Sequence, residues 1–149
     1  MSLPELIANV FERETALSRW YRAQCEHAHI SIKPTLFHFA YTRELFFARC
    51  AALLHDHAGT HVEPSGSTLF AASFTGHASA FLGTQAILKS ALAKEESFLH
   101  ELEAWSRQAE ADTPTPPPEH QPFLELLRES YHDTRSRIAQ LQLLARRLL

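Results

Sequence analysis

A chain of 149 residues with 45% hydrophobic and 21% charged side chains has an ordinary globular composition and enough length to bury one substantial core. Its net charge of −3 gives no electrostatic footprint for nucleic acid or an anionic membrane, and the arginines late in the chain are diluted by Glu125, Glu129 and Asp133. The first residues lack a signal-peptide pattern and no stretch approaches the roughly 18 uninterrupted apolar residues of a membrane span, so a cytoplasmic protein without membrane or nucleic-acid partners is expected.

The first predicted helix runs from about Pro4 to His29, with Ser2 as N-cap and Pro4 in the first turn. Leu3, Ile7, Val10, Leu17, Tyr21 and Ala28 form its apolar stripe at three-and-four spacing. A short turn at Pro34 leads into a second helix, which Thr35 can cap and which continues to about His57. That helix is apolar on nearly every side, so it is either central to a core or half of a subunit interface. Since each helix of a small four-helix protein has one outer face, an interface is favoured, with Phe39, Phe46 and Leu53 as its expected contacts. Cys25 and Cys50 fall near the ends of the two helices. In an antiparallel hairpin their offset is on the order of 15 Å, too far for a disulfide, so two reduced thiols are expected.

A long connection follows, Gly59 to Ser73. The third helix is expected from about Thr75 to Glu110, with Phe81, Gln85, Leu88, Leu92, Glu95, Leu99 and Leu102 on its stripe. The proline-rich segment Thr113–Pro118 cannot be helical and reads as a stiff linker. The last helix runs from about Glu119 to the C-terminus through Leu124, Leu127, Tyr131, Thr134, Ile138, Leu141 and Leu148. With no alternation of strand period, the expected fold is all-α: one four-helix-bundle domain over residues 1–149. The long middle connection is enough to span such a bundle and make helices two and three parallel, which is the ferritin-like arrangement.

Three stretches carry a resemblance: the loop Gly59–Ser67, the run Ala86–Glu96 and the segment Leu126–Leu144. On these the chain resembles a bacterial family of unknown function within the ferritin-like superfamily. The resemblance covers about 60% of the chain by the span of these stretches. It implies a ferritin-like bundle with a long connection between helices two and three, and no particular activity. The chain departs from the family's pattern in its histidine, since His77 falls about one helical turn after the expected place.

The residues that point to chemistry are glutamates inside apolar stripes: Glu14, Glu44 and Glu95. A ferritin-type di-iron site takes single glutamates from two helices and Glu-x-x-His from the other two. The sequence offers Glu26–His29 at the end of helix one and Glu129–His132 off the stripe of helix four, and such spacings arise by chance in a chain with ten histidines. Glu14 and Glu95 fall near the same level of the bundle; Glu44 lies nearer one end and should meet Arg22 or Tyr21. Without a metal, Glu95 should pair with Arg135 or Tyr131, and Glu14 with a polar neighbour or water. The leading expectation is a non-enzymatic helical protein acting by self-association or protein interaction, with no cofactor. The alternative is an iron- or manganese-binding protein using Glu14, Glu44 and Glu95 with His132.

Overall fold

Ser2 opens the first helix with a capping box. Its Oγ accepts from Glu5 N at 3.3 Å and Glu5 Oε2 accepts from Ser2 N at 2.6 Å, two orphan donors satisfied in one exchange. The computed structural model describes residues 2–59, 61–63, 83–112 and 115–148. Among them are four α-helices: α1 (Leu3–Cys25), α2 (Lys33–Ala58), α3 (Thr84–Asp112) and α4 (Gln121–Leu148), the last preceded by a 3-10 turn over Pro118–His120. No strand occurs among these residues, as the missing alternation indicated.

Helix α1 stops at Cys25 instead of His29. The amides of His27 and Ala28 both turn back to Gln24 O, and the His29 ring takes the Ser31 amide and hydroxyl, so local side-chain bonding replaces the helical ladder. Helix α2 begins at Lys33 behind buried Ile32, which offers no side-chain cap, so Thr35 lies inside the first turn and is not the capping residue. Gly59, at φ +63°, terminates α2 in the left-handed conformation that favours glycine. The expected start of helix three near Thr75, and most of the long connection, lie outside the described residues.

Side-chain contacts fix the helix directions. Phe11 meets Phe47 with ring centroids 5.8 Å apart and Ser18 Oγ donates to Ala40 O at 3.0 Å, so α1 and α2 are antiparallel. Arg13 pairs with Glu101 at 3.0 Å and Tyr21 with Glu95 at 2.7 Å, so α1 also runs against α3. Arg137 reaches Thr42 at 3.3 Å and Arg49 reaches Glu129 at 2.7 Å, which sets α4 against α2. Helices α2 and α3 therefore point the same way.

All four helices feed one apolar core, in which Ile7, Val10, Trp20, Leu36, Phe39, Leu54, Ile87, Phe98, Leu102, Leu127 and Leu141 are buried. Each such large side chain contributes about 1.5–3 kcal/mol of hydrophobic stabilisation. Cys25 and Cys50 are free and buried; burial, and for Cys50 next the nearby Glu14, raises both thiols above their ordinary range. Among the described residues no helix is long and apolar enough to cross a membrane.

Candidate functional site

The inward stripe of α2 is Leu36, Phe39, Arg43, Phe46, Cys50 and Leu54, all buried, at helical three-and-four spacing. One member is a guanidinium. Arg43 has no exposed surface, and the two residues that meet it are the stripe glutamates of the facing helices. Its Nη1 donates to Glu14 Oε2 from α1, and its Nη2 donates to both oxygens of Glu95 from α3. The guanidinium also lies against two aromatic faces, with Cζ 5.6 Å from the Phe98 ring centroid and 6.0 Å from that of Tyr21.

The rest of the layer completes the carboxylates. Tyr21 OH donates to Glu95 Oε1 at 2.7 Å, and Ser130 Oγ of α4 donates to Glu14 Oε1 at 2.9 Å. Every carboxylate oxygen in the layer thus accepts at least one hydrogen bond, the condition under which buried charge is tolerated. Below Ser130 on the same face of α4 come Thr134 and Arg137, both buried. Arg43 Nε, Thr134 Oγ1 and Arg137 Nη1 are buried without a hydrogen-bond partner among the described residues.

Electrostatics follow from this packing. Burial by itself pushes the Arg43 guanidinium down, but Glu14, Glu95 and Tyr21 outweigh that and hold it above the ordinary arginine range. Burial, then the Glu95 charge, lifts the Tyr21 phenol well above 10.0, so it stays a hydrogen-bond donor. Arg137 is depressed, first by burial and then by Arg43. The layer is two carboxylates against two guanidiniums and formally neutral. It has the geometry of a polar staple joining all four helices.

The expected metal residues separate. Glu14 and Glu95 do share one level, but Arg43 occupies the space between them that a cation would need. Neither expected partner of Glu95 is used: Arg135 stacks on Tyr131 near the surface, and Tyr21 and Arg43 take the carboxylate instead. Glu44 lies outside the layer and accepts from Arg22 Nε at 2.5 Å, the partner its position indicated. His132 is exposed beside Tyr131, and Glu129, three residues before it, is held by Arg49 at 2.7 and 2.9 Å. Among the described residues no group of three or more His, Cys, Asp or Glu side chains could hold a metal ion.

Sequence reading missed Arg43 and Arg137. Both were findable by phase: Arg43 is four residues after Phe39 and three before Phe46, and Arg137 falls between Thr134 and Leu141. The expected contacts of helix two shift for the same reason. Phe39 and Phe46 are 1% and 4% exposed and belong to this chain's own core, and Leu53 is half-buried against it. The apolar side chains that α2 leaves outside are Phe37, Tyr41 and Leu45, 55%, 50% and 52% exposed, followed by exposed Ala48 and Ala52.

In comparisons with known proteins, no family model matches the sequence, and neither a curated protein nor a solved structure matches the chain.

Proposed function

We propose that the protein is a non-enzymatic, ferritin-like helical bundle that works by self-association, pairing with a second copy through the outer face of α2. The observation that carries this reading is the row Phe37, Tyr41, Leu45, Ala48 and Ala52, exposed at the four-four-three-four spacing of a helix-packing seam. The row has a large half and a small half. Laid antiparallel on a second copy, Phe37 falls over Ala52 and Tyr41 over Ala48, with Leu45 beside the two-fold axis. Such a surface is complementary to itself, which an isologous dimer requires.

Two further observations support the reading. The shared direction of α2 and α3 is the one a ferritin-like crossover connection would produce. The layer where ferritin-like proteins use carboxylates for metal is filled here by Arg43, whose fixed charge and two terminal nitrogens meet two carboxylates. The carboxylates then serve cohesion between helices, and the apolar outer face serves assembly.

Sedimentation equilibrium of the full chain tests the proposal. A dimer is expected at micromolar concentration, and Leu45→Glu should yield a folded monomer. A wild-type chain that stays monomeric at the highest soluble concentration would overturn it. Untagged protein incubated with Fe(II) or Mn(II) should show no rise in Tm; stoichiometric metal with a raised Tm would favour a metal-binding protein instead.

A further inference from the structure

The two buried arginines are treated differently by the fold. Arg43 has two carboxylate partners. Arg137, only 5% exposed, lies within salt-bridge distance of no carboxylate among the described residues. Among the described residues its one hydrogen bond runs from Nη2 to the neutral Thr42 Oγ1 at a long 3.3 Å, and its Nη1 has no partner. A guanidinium presents five donors, so most of this one's capacity is unspent. Burial without a counter-charge in contact is costly and asks for an explanation.

A pocket lies directly against it. At the seam between α2 and α4, Phe39, Thr42, Asp133, Ser136, Arg137 and Gln140 line a space of about 160 Å³, with exposed His38 at its edge. A single water needs only roughly 10–15 Å³, so there is room for a small organic molecule. The chemistry of the walls is specific. The flat fork of a guanidinium matches the two oxygens of a carboxylate, and both Arg137 and its present acceptor Thr42 face the space. Asp133, half-buried on the same wall, repels a multiply charged anion such as phosphate and accepts a hydrogen bond from a hydroxyl or ammonium group.

We infer that this pocket binds a small monocarboxylate carrying a neighbouring hydrogen-bond donor, a hydroxy acid or an amino acid, with its carboxylate on Arg137 and its donor on Asp133. The ligand supplies a counter-charge in contact with Arg137, where Glu14, Glu95 and Asp133 act on it only from a distance. Binding requires no second copy: Thr42 and His38 flank the Phe37–Tyr41 row on the side toward α4.

Glycolate is the probe, titrated into the full chain and followed by amide NMR shifts and Tm, with acetate and inorganic phosphate as comparisons. Glycolate should shift resonances around Thr42 and Ser136 and raise Tm. Acetate, which lacks the donor, should bind about tenfold more weakly, the effect of one lost hydrogen bond to a charged group. Asp133→Asn should erase the preference for glycolate over acetate, and Arg137→Gln should abolish both responses. Should Arg137→Gln fail to fold, Ser136→Trp fills the pocket from an exposed position and must abolish binding in a folded protein. The inference is overturned if glycolate moves no resonance in the pocket, if its effect survives Ser136→Trp, or if phosphate binds as well as glycolate.

Discussion

Helix α2 carries its polarity inside out. Its inner face holds a fully buried guanidinium at Arg43, while its outer face leaves Phe37, Tyr41 and Leu45 about half exposed. Each face is anomalous alone, since buried charge needs partners and a row of exposed aromatic and aliphatic residues needs cover. The inner face has its partners within the chain: Glu14, Glu95, Tyr21 and Ser130 converge on one layer. The outer row Phe37, Tyr41 and Leu45 stays about half exposed among the described residues. On the proposed reading, satisfaction inside and its absence outside divide the helix into a part that serves folding and a part that would serve assembly.

The strongest way to break that division is to remove the inner cation. Arg43→Met leaves two carboxylates buried and unpaired and should lower unfolding free energy by about 3–5 kcal/mol in urea denaturation. The triple variant Glu14→Gln, Arg43→Met, Glu95→Gln should regain at least half of that loss, because it removes the stranded charges with the cation. A triple variant no better than the single one would mean that shape, not charge, holds the layer.

Tyr21→Phe is the next largest test. It removes one hydrogen bond to a carboxylate and should cost about 1.5–3 kcal/mol. The same residue gives a pH signature. Its folded pKa is raised above the unfolded 10.0, so the stability it contributes is fully present below pH 10.0 and is lost as pH climbs from there toward the folded value. Of the chain's three tyrosines, one should therefore ionise only with unfolding in an absorbance titration, and Tyr21→Phe should remove that step.

The smallest effect belongs to the surface. Arg49 and Glu129 pair at 2.7 Å with 55% and 43% of their side chains exposed, and Arg49→Ala should change stability by no more than about 1 kcal/mol. A larger loss would show that exposed and buried charge count alike here, erasing the contrast between the faces.

Much of this architecture was legible in the sequence. Ser2 and Pro4 set the start of α1, the all-helical class followed from period, and the common level of Glu14 and Glu95 followed from counting residues to the turns. Pro34, expected in the connection, lies instead within the first turn of α2. The pairing of Glu44 with Arg22 was legible for the same reason. What escaped was phase. A helix apolar on every side has a weak periodic signal, so α2 did not show which face turned inward; Arg43 is in phase with Phe39 and Phe46, and those two were assigned to the wrong face. In α4 the stripe turned by one position, bringing Ser130 and Arg137 inward where Tyr131 and Ile138 were expected. Partners of a buried charge are set by which helices face each other, information that no single stripe contains.

The claim that the outer row of α2 closes on a second copy makes a positional demand that a single experiment reads. In the antiparallel pairing Leu45 lies at the two-fold axis, whereas the two copies of Phe37 are about 22 Å apart along the helices. Cys25 and Cys50 are buried, so an introduced surface thiol reports on the face alone. Under mild oxidation Leu45→Cys should form a covalent dimer on a non-reducing gel, and Phe37→Cys should remain a single chain. No covalent dimer from Leu45→Cys, or equal cross-linking at both positions, would contradict the account.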